Sequence, residues 1–287
     1  MNDRRLTPAN GRVAATGLRG QIQAERFVDG VLQQVIDAPF LHREPRGSRD
    51  RQLLWGDAFR VYDQGNDWVF GQSLKDGYVG YVHHPLTEPQ TLTHRVDVRT
   101  TWAYPVAGFK QPALHELHFN SFVCVVDHDG KWAQISVAGG ELIAAHRAFV
   151  PVAHLAPIAD RRVDPVAVAT QFLGTPYVWA GNSGFGIDCS GLVQAACHAC
   201  GVPCPGDSDL QEAALGETVP EGTQAQSGDL FFWRGHVAMA VDSETMIHAN
   251  AHHMSVSYEP ISDAILRIEE QGDGPVTRHA RINWDKP

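Results

Sequence analysis

Cys189, His236 and His248 are the residues of this chain whose types and settings suit covalent chemistry. Cys189 stands in Asp188-Cys189-Ser190-Gly191, after Thr175-Pro-Tyr-Val-Trp-Ala-Gly and a glycine-rich loop and before an apolar helix, and each histidine lies in a strand-like run further on. A helix N-terminus favours thiolate over thiol, and a neighbouring imidazolium favours it further. His236 would take the thiol proton and return one to a leaving amine. His248 would hold that imidazole in tautomer and orientation, the task a carboxylate or amide performs in other triads. The Cys189 backbone N–H, at a helix start, would stabilise an oxyanion. That set of groups performs acyl transfer through a thioester, ending in hydrolysis.

The elements that must position these groups are legible. Asp164 is a natural N-cap and Pro165 suits the first helical position, with Val166, Ala169, Phe172 and Leu173 as an apolar stripe before Gly174 and Pro176. A second helix opens at Asp188-Cys189 and ends at Gly201, its stripe being Leu192, Val193, Ala196, Cys197 and Cys200. Strands follow at Asp229-Leu-Phe-Phe-Trp, His236-Val-Ala-Met-Ala-Val, Thr245-Met-Ile-His-Ala and Met254-Ser-Val-Ser-Tyr. A turn near Asp242-Ser-Glu brings His236 and His248 together on adjacent antiparallel strands. Helices first and antiparallel strands second predict an α+β layer domain.

Upstream, from Glu25 to Leu155, short alternating runs such as Phe59-Arg-Val-Tyr and Phe122-Val-Cys-Val-Val are separated by turn clusters. Val61-Tyr62-Asp63 precedes Trp68, and Val125-Val126-Asp127 precedes Trp132, at the same interval. Each unit then passes through a Gly-containing turn to an aromatic-Val pair, Tyr81-Val82 and Phe149-Val150. Two small β-barrels account for this repeat. The polar first 22 residues are expected to form an irregular arm.

A formal net charge of −10 argues against a nucleic-acid surface or an anionic membrane as partner. The N-terminal text MNDRRLTPANGRVAATG has no apolar run of signal length, and the five cysteines form no disulfide-type framework. A cytoplasmic location is expected, with no cofactor and oligomeric state open. Cys197-x2-Cys200-x3-Cys204 has zinc-like spacing, but using it would cost the helix part of its apolar face, so these thiols, like Cys124, are read as core.

The segment TPYVWAGNSGFGIDCSGLVQ, then GDSDLQ, then GDLFFWRGHVAMAVDSETMIHAN, resembles the NlpC family of papain-like bacterial cell-wall peptidases. The upstream pair resembles the bacterial SH3-like domains of members that cleave the γ-D-glutamyl–L-diamino acid bond of muropeptides starting with free L-alanine. The resemblance implies two SH3-like β-barrels (residues 23–92 and 93–157) between the arm at 1–22 and an α+β papain-like catalytic domain at 158–287. It implies Cys189 as nucleophile, His236 as base, His248 as orienting third member and Tyr177 as oxyanion support. Asp188, Ser190 and Ser208 would contact the substrate's amino end and neighbouring groups. Tyr78, in Gly77-Tyr-Val-Gly-Tyr, would help bind the terminal amine, with Asp57 adding a carboxylate. For Tyr78 the competing reading is plain barrel core.

The sequence departs from the subgroup at Asn182 and Gly206, where arginine is usual, and at Ala180, which replaces a glycine. Arginine binds carboxylates bidentately, so the changes bear on substrate affinity. The expected activity is hydrolysis of that γ-linked amide during muropeptide recycling, with a short peptide as the partner. The alternatives are a catalytically weak wall-peptide-binding protein and an acyltransferase on the same scaffold.

Overall fold

The computed structural model describes residues 3–83, 86–137 and 147–285. The chain divides into two compact units, Met1–Ala159 and Asp160–Pro287. Among the described residues no helix is long and apolar enough to cross a membrane.

The first unit is built of short strands. A seven-stranded sheet runs in the order Arg49–Gln52, Phe40–His42, Val79–Val82, Val69–Ser73, Ala58–Gln64, Val31–Val35, Leu86–Thr87. A five-stranded sheet runs Arg147–Pro151, Trp132–Ser136, Phe122–His128, His94–Val96, Leu155–Pro157. The sequence repeat has a structural counterpart in these two sheets. The ladder of the first shifts register between Val61 and Asp63, and that of the second between Val125 and Asp127. Past each bulge the rows match: Gln64, Val69 and Val82 in one, His128, Ala133 and Val150 in the other. A bulge inserts one unpaired residue and bends its strand, so an Asp after an apolar pair marks the same bend twice. The Gly-containing turn of the second repeat lies outside the described residues.

The N-terminal stretch differs from the irregular arm expected of it. Val13–Ala15 pairs in parallel with Arg26–Val28, and Val13 packs with Tyr62, Phe70 and Val79. Asp63, 5% exposed, draws in Asn10, Arg12 and Arg26, and these bonds together hold its carboxyl below its usual range against burial. A buried carboxylate needs such partners, and polar text at an N-terminus does not show where they go.

The second unit is an antiparallel sheet in the order Glu217–Thr218, Arg278–Arg281, Leu230–Trp233, His236–Ala240, Thr245–Asn250, Ser255–Pro260. Its helices are α1 (Pro165–Thr170), α2 (Cys189–Ala199), α3 (Ser208–Ala214) and α4 (Ile261–Glu270). Ala264 and Ile268 of α4 pack on Phe231, Trp233, Ala238, Ala240 and Met246. By strand alternation Val237, Met239 and Ile247, all buried, point to the other face, and α2 packs on their two strands. Burial on both faces explains why these strands read as continuous apolar runs. Asp164 caps α1 as expected, its side chain accepting from Val166 and Ala167 N–H, but the helix stops at Thr170, leaving Leu173 43% exposed.

Candidate active site

Asp188 makes the start of α2. Its side chain accepts from the Gly191 N–H at 2.6 Å and the Ser190 hydroxyl at 2.8 Å, so Asp188 and Ser190 are buried partners of one cap. Gly191 is required here: a Cβ at that position would lie 2.5 Å from the Gly181 carbonyl oxygen and 2.7 Å from Asn182 Oδ1. The first turn of α2 therefore rests on the loop backbone itself. Asn182 is buried and donates to Gln194, which in turn donates to the Cys204 carbonyl. Asn182 thus stitches the loop to α2.

Cys189, 7% exposed, follows that cap, and the backbone N–H groups of Val237, Ser190 and Cys189 itself point at its sulfur. Burial, reinforced by the Asp188 charge, nevertheless pushes the thiol up to about 12. Burial also pushes His236 down to about 3, with the His248 and Arg267 charges adding to the shift. At the thiol, burial thus opposes the helix-terminal N–H groups, and at His236 it favours the neutral imidazole. The Tyr177 phenol is raised too, by burial first and then by the charges of Cys189 and Asp188. It remains a neutral O–H donor near the sulfur.

The two histidines meet. His236 Nε2 lies 2.9 Å from His248 Nδ1, with ring centroids 5.2 Å apart. The strands pair Met239 with Ile247 and Ala240 with Met246, so His248 falls opposite Ala238, one diagonal step from His236. The Asp242 side chain closes the turn by accepting from Glu244 and Thr245 N–H. Trp233, 1% exposed, packs its ring 5.7 Å from that of His236.

Two members of this line escaped the sequence reading. His248 Nε2 lies 3.0 Å from Glu259 Oε2, and Arg267 binds the same carboxylate through Nε at 2.8 Å and Nη2 at 2.7 Å. Burial alone would raise Glu259, but Arg267 and then His248 hold it far below the carboxylate range. The signal was available in the alternation: Ser257 pairs with His248, and Glu259, two residues on, shares its face. The expected strand ended at Tyr258, one residue short.

His248, His253 and Glu259 form the metal-type grouping among the described residues. Arg267 already puts a cation on Glu259 and His236 occupies His248 Nδ1, so the group is arranged to hold protons. Cys197, Cys200 and Cys204 are buried with free thiols, Cys204 lying 3.4 Å from Gln211 Nε2. Ser208, also buried, is the first residue of α3, which Gln211 ties to α2 by donating to the Ser190 carbonyl.

The two candidate residues of the first unit are core positions of that unit. Tyr78 is 1% exposed and packs with Val35, Leu41, Leu53, Phe59, Val61 and Val82. Asp57, raised by burial, accepts from Lys75 at 2.6 Å and from the Leu54 N–H at 2.9 Å.

Residues 174–268 match the model of the NlpC/P60 family, and residues 41–84 match that of the bacterial dipeptidyl-peptidase SH3 domain. The γ-D-glutamyl-L-lysine dipeptidyl-peptidase of Bacillus cereus is 36% identical over 246 residues, 74% of this chain and 71% of that one. Dipeptidyl-peptidase 6 of Lysinibacillus sphaericus is 38% identical over 223 residues, 69% of this chain and 79% of the relative. The crystal structure of an NlpC/P60 family protein from Bacillus cereus has the same fold, with a TM-score of 0.73 at 22% identity, over 88% of this chain and 99% of that one.

Proposed function

The chain belongs to the NlpC/P60 family of cysteine peptidases and carries an SH3-like domain before its catalytic domain, and from that premise we propose that it hydrolyses the γ-D-glutamyl–L-diamino acid amide of cell-wall peptides that begin with free L-alanine. The relatives named for γ-D-glutamyl-L-lysine dipeptidyl-peptidase activity support the substrate class. The observations that carry the reading are the buried Cys189 thiol at the start of α2 and the His236–His248 bond of 2.9 Å.

In the proposed cycle His236 accepts the Cys189 proton as sulfur attacks the γ-carbonyl carbon of D-glutamate. With His236 Nε2 engaged by His248, Nδ1 is the ring nitrogen left for that proton. The Cys189 backbone N–H and the Tyr177 phenol donate to the oxyanion. The carbon–nitrogen bond breaks, the amine leaves with the proton from His236, and L-Ala–D-Glu stays on sulfur as a thioester. Water, deprotonated by the same imidazole, releases it. With burial favouring the neutral thiol and the neutral imidazole, proton transfer accompanies attack in this cycle.

Asp188, Ser190 and Ser208 are proposed at the substrate's amino end. Tyr78 and Asp57 remain in the proposal on resemblance alone, as do the second SH3-like barrel over residues 93–157, the boundaries given above and a place in cytoplasmic recycling. The bulge shared by the two hairpins supports the second barrel.

The test is release of L-Ala–D-Glu from L-Ala–γ-D-Glu–meso-diaminopimelate, and from its lysine counterpart, beside N-acetylated copies and a Cys189→Ala variant. Cleavage of the free peptides alone, abolished in the variant, is expected. Equal cleavage of the acetylated copies would remove the terminal-amine requirement, and no cleavage by folded protein would sink the peptidase reading.

A further inference from the structure

Glu259 and Arg267 stand beyond the three residues to which the proposed chemistry is assigned. We infer that Glu259, held by Arg267, is a positioning residue that sets the tautomers of both histidines and so leaves a lone pair on His236 Nδ1 for the Cys189 proton. The inference rests on the reading of Cys189 and His236 as nucleophile and base.

The argument runs inward from the guanidinium. Arg267 donates from Nε and Nη2 to the two oxygens of Glu259, and an arginine cannot give up its charge, so the carboxylate stays ionised. An ionised carboxylate only accepts, so the 3.0 Å bond requires the hydrogen on His248 Nε2. A neutral His248 with Nε2–H has a bare Nδ1, which accepts in turn, so the 2.9 Å bond requires the hydrogen on His236 Nε2. A neutral His236 with Nε2–H has its lone pair on Nδ1. Each ring has one proton and one lone pair, and one fixed charge at the end of the line decides where all of them lie.

The fold makes this arrangement rigid. Glu259 sits on the strand Ser255–Pro260, where Ser257 pairs with His248, and Arg267 sits on α4, which opens after Pro260 and packs on the same sheet face. His248 is 1% exposed and Glu259 8%, so bulk water does not compete for these bonds. His253, whose Nδ1 lies 3.0 Å from Asn250 Oδ1, is the remaining titratable group beside His248. Toward the imidazolium that forms on His236 during attack the Arg267 charge is unfavourable, and the Glu259 carboxylate offsets part of it.

The experiment uses the full chain. Long-range 15N–1H NMR of the imidazole rings in the wild-type protein is expected to show both His248 and His236 with the proton on Nε2. A proton on Nδ1 of either ring would overturn the inference, and this measurement holds whether or not the protein cleaves any peptide. Glu259→Gln keeps the shape but lets the carboxamide accept or donate. It is expected to populate the second His248 tautomer and to lower kcat on the order of 100-fold, with KM within about threefold. Arg267→Lys, which keeps a cation on Glu259, should retain the wild-type tautomers and lose less than about tenfold in kcat. Glu259→Gln with wild-type kcat would overturn the positioning role. If the wild-type chain cleaves nothing while both protons sit on Nε2, the peptidase reading fails and the tautomer relay stands.

Discussion

Asp229 and Glu259 lie in the same domain and hold the same kinds of partner, yet only Glu259 is joined through its histidine to a second one. Asp229 takes two bonds from Arg281, at 2.7 and 2.6 Å, and one from His279 Nε2 at 2.9 Å. Glu259 takes two from Arg267 and one from His248 Nε2 at 3.0 Å. The two trios diverge at the second face of the histidine. His279 lies flat on Phe231, with ring centroids 4.3 Å apart and planes at 13°. His248 passes its bond on to His236. Asp229 spends its remaining capacity on the Gln226 N–H, closing a turn. A buried carboxylate with arginine and histidine is therefore a structural clasp by default, and it becomes part of a proton path only where the imidazole has a second ring to address.

The largest expected difference between the two regions is in turnover. His248→Ala removes the ring that holds His236, and kcat should fall on the order of 1000-fold, as for loss of an orienting residue in other triads. His279→Ala should leave kcat within about threefold. Steady-state kinetics on the free tripeptide decides; equal losses in the two variants would break the distinction between path and clasp.

Asp229→Ala reverses the ranking. It removes the acceptor of His279 and of Arg281, whose side chain keeps 34% exposure and can be solvated, so the loss is about 1–3 kcal/mol. The acid side adds a sign. Burial raises the Asp229 carboxyl, but its hydrogen bonds and the Arg281 charge hold it below its ordinary value in the folded chain. Its contribution is thus complete above the unfolded-state value near 4 and is lost as pH falls toward the folded one. Denaturant unfolding from pH 7 to pH 3 should show the wild type losing more stability than the variant. Parallel curves would mean that folding leaves the Asp229 carboxyl unshifted.

Both thiol and imidazole are shifted toward neutrality, and this carries a pH signature. With Cys189 near 12, the rate of alkylation by iodoacetamide in the peptide-free protein should rise about tenfold per pH unit from 7 to 10. A plateau between pH 5 and 8 would instead report a preformed ion pair. Neither carboxylate cluster should alter that slope.

Legibility from sequence followed how local the cause was. The α2 start was readable because Asp188, Cys189 and Gly191 act within one helical turn, and the strands from Leu230 to Asn250 because their apolar runs are long. The His236–His248 meeting followed from a turn of a few residues. Glu259 and Arg267 were missed because their partner is eleven residues away in one case and each other in the second, a relation fixed by register and helix packing and not by neighbouring text. Arg12, Arg26 and Asp63 were missed for the same reason, at separations of 51 and 37 residues. Asn182 was read only through the arginine the resemblance implies in its place; its bond to Gln194 depends on how the loop packs on α2, which neighbouring text does not give.

The smallest effect tests the loop beneath the thiol. Ala180 has φ at +65° and 1% exposure. A left-handed alanine costs about 1–2 kcal/mol. Ala180→Gly relieves that strain, but it loosens the unfolded chain by about 0.4–1 kcal/mol and removes a buried methyl worth about 0.8 kcal/mol. The three contributions nearly cancel, so stability should change by less than about 1 kcal/mol. Ala196→Gly is the control: it is fully buried inside α2, with ordinary helical backbone and no strain to release. There, lost helix propensity and the lost methyl act in the same direction and should cost about 2 kcal/mol. Urea unfolding of the two variants compares the sites directly. Equal losses would mean that the loop stores no strain at Ala180.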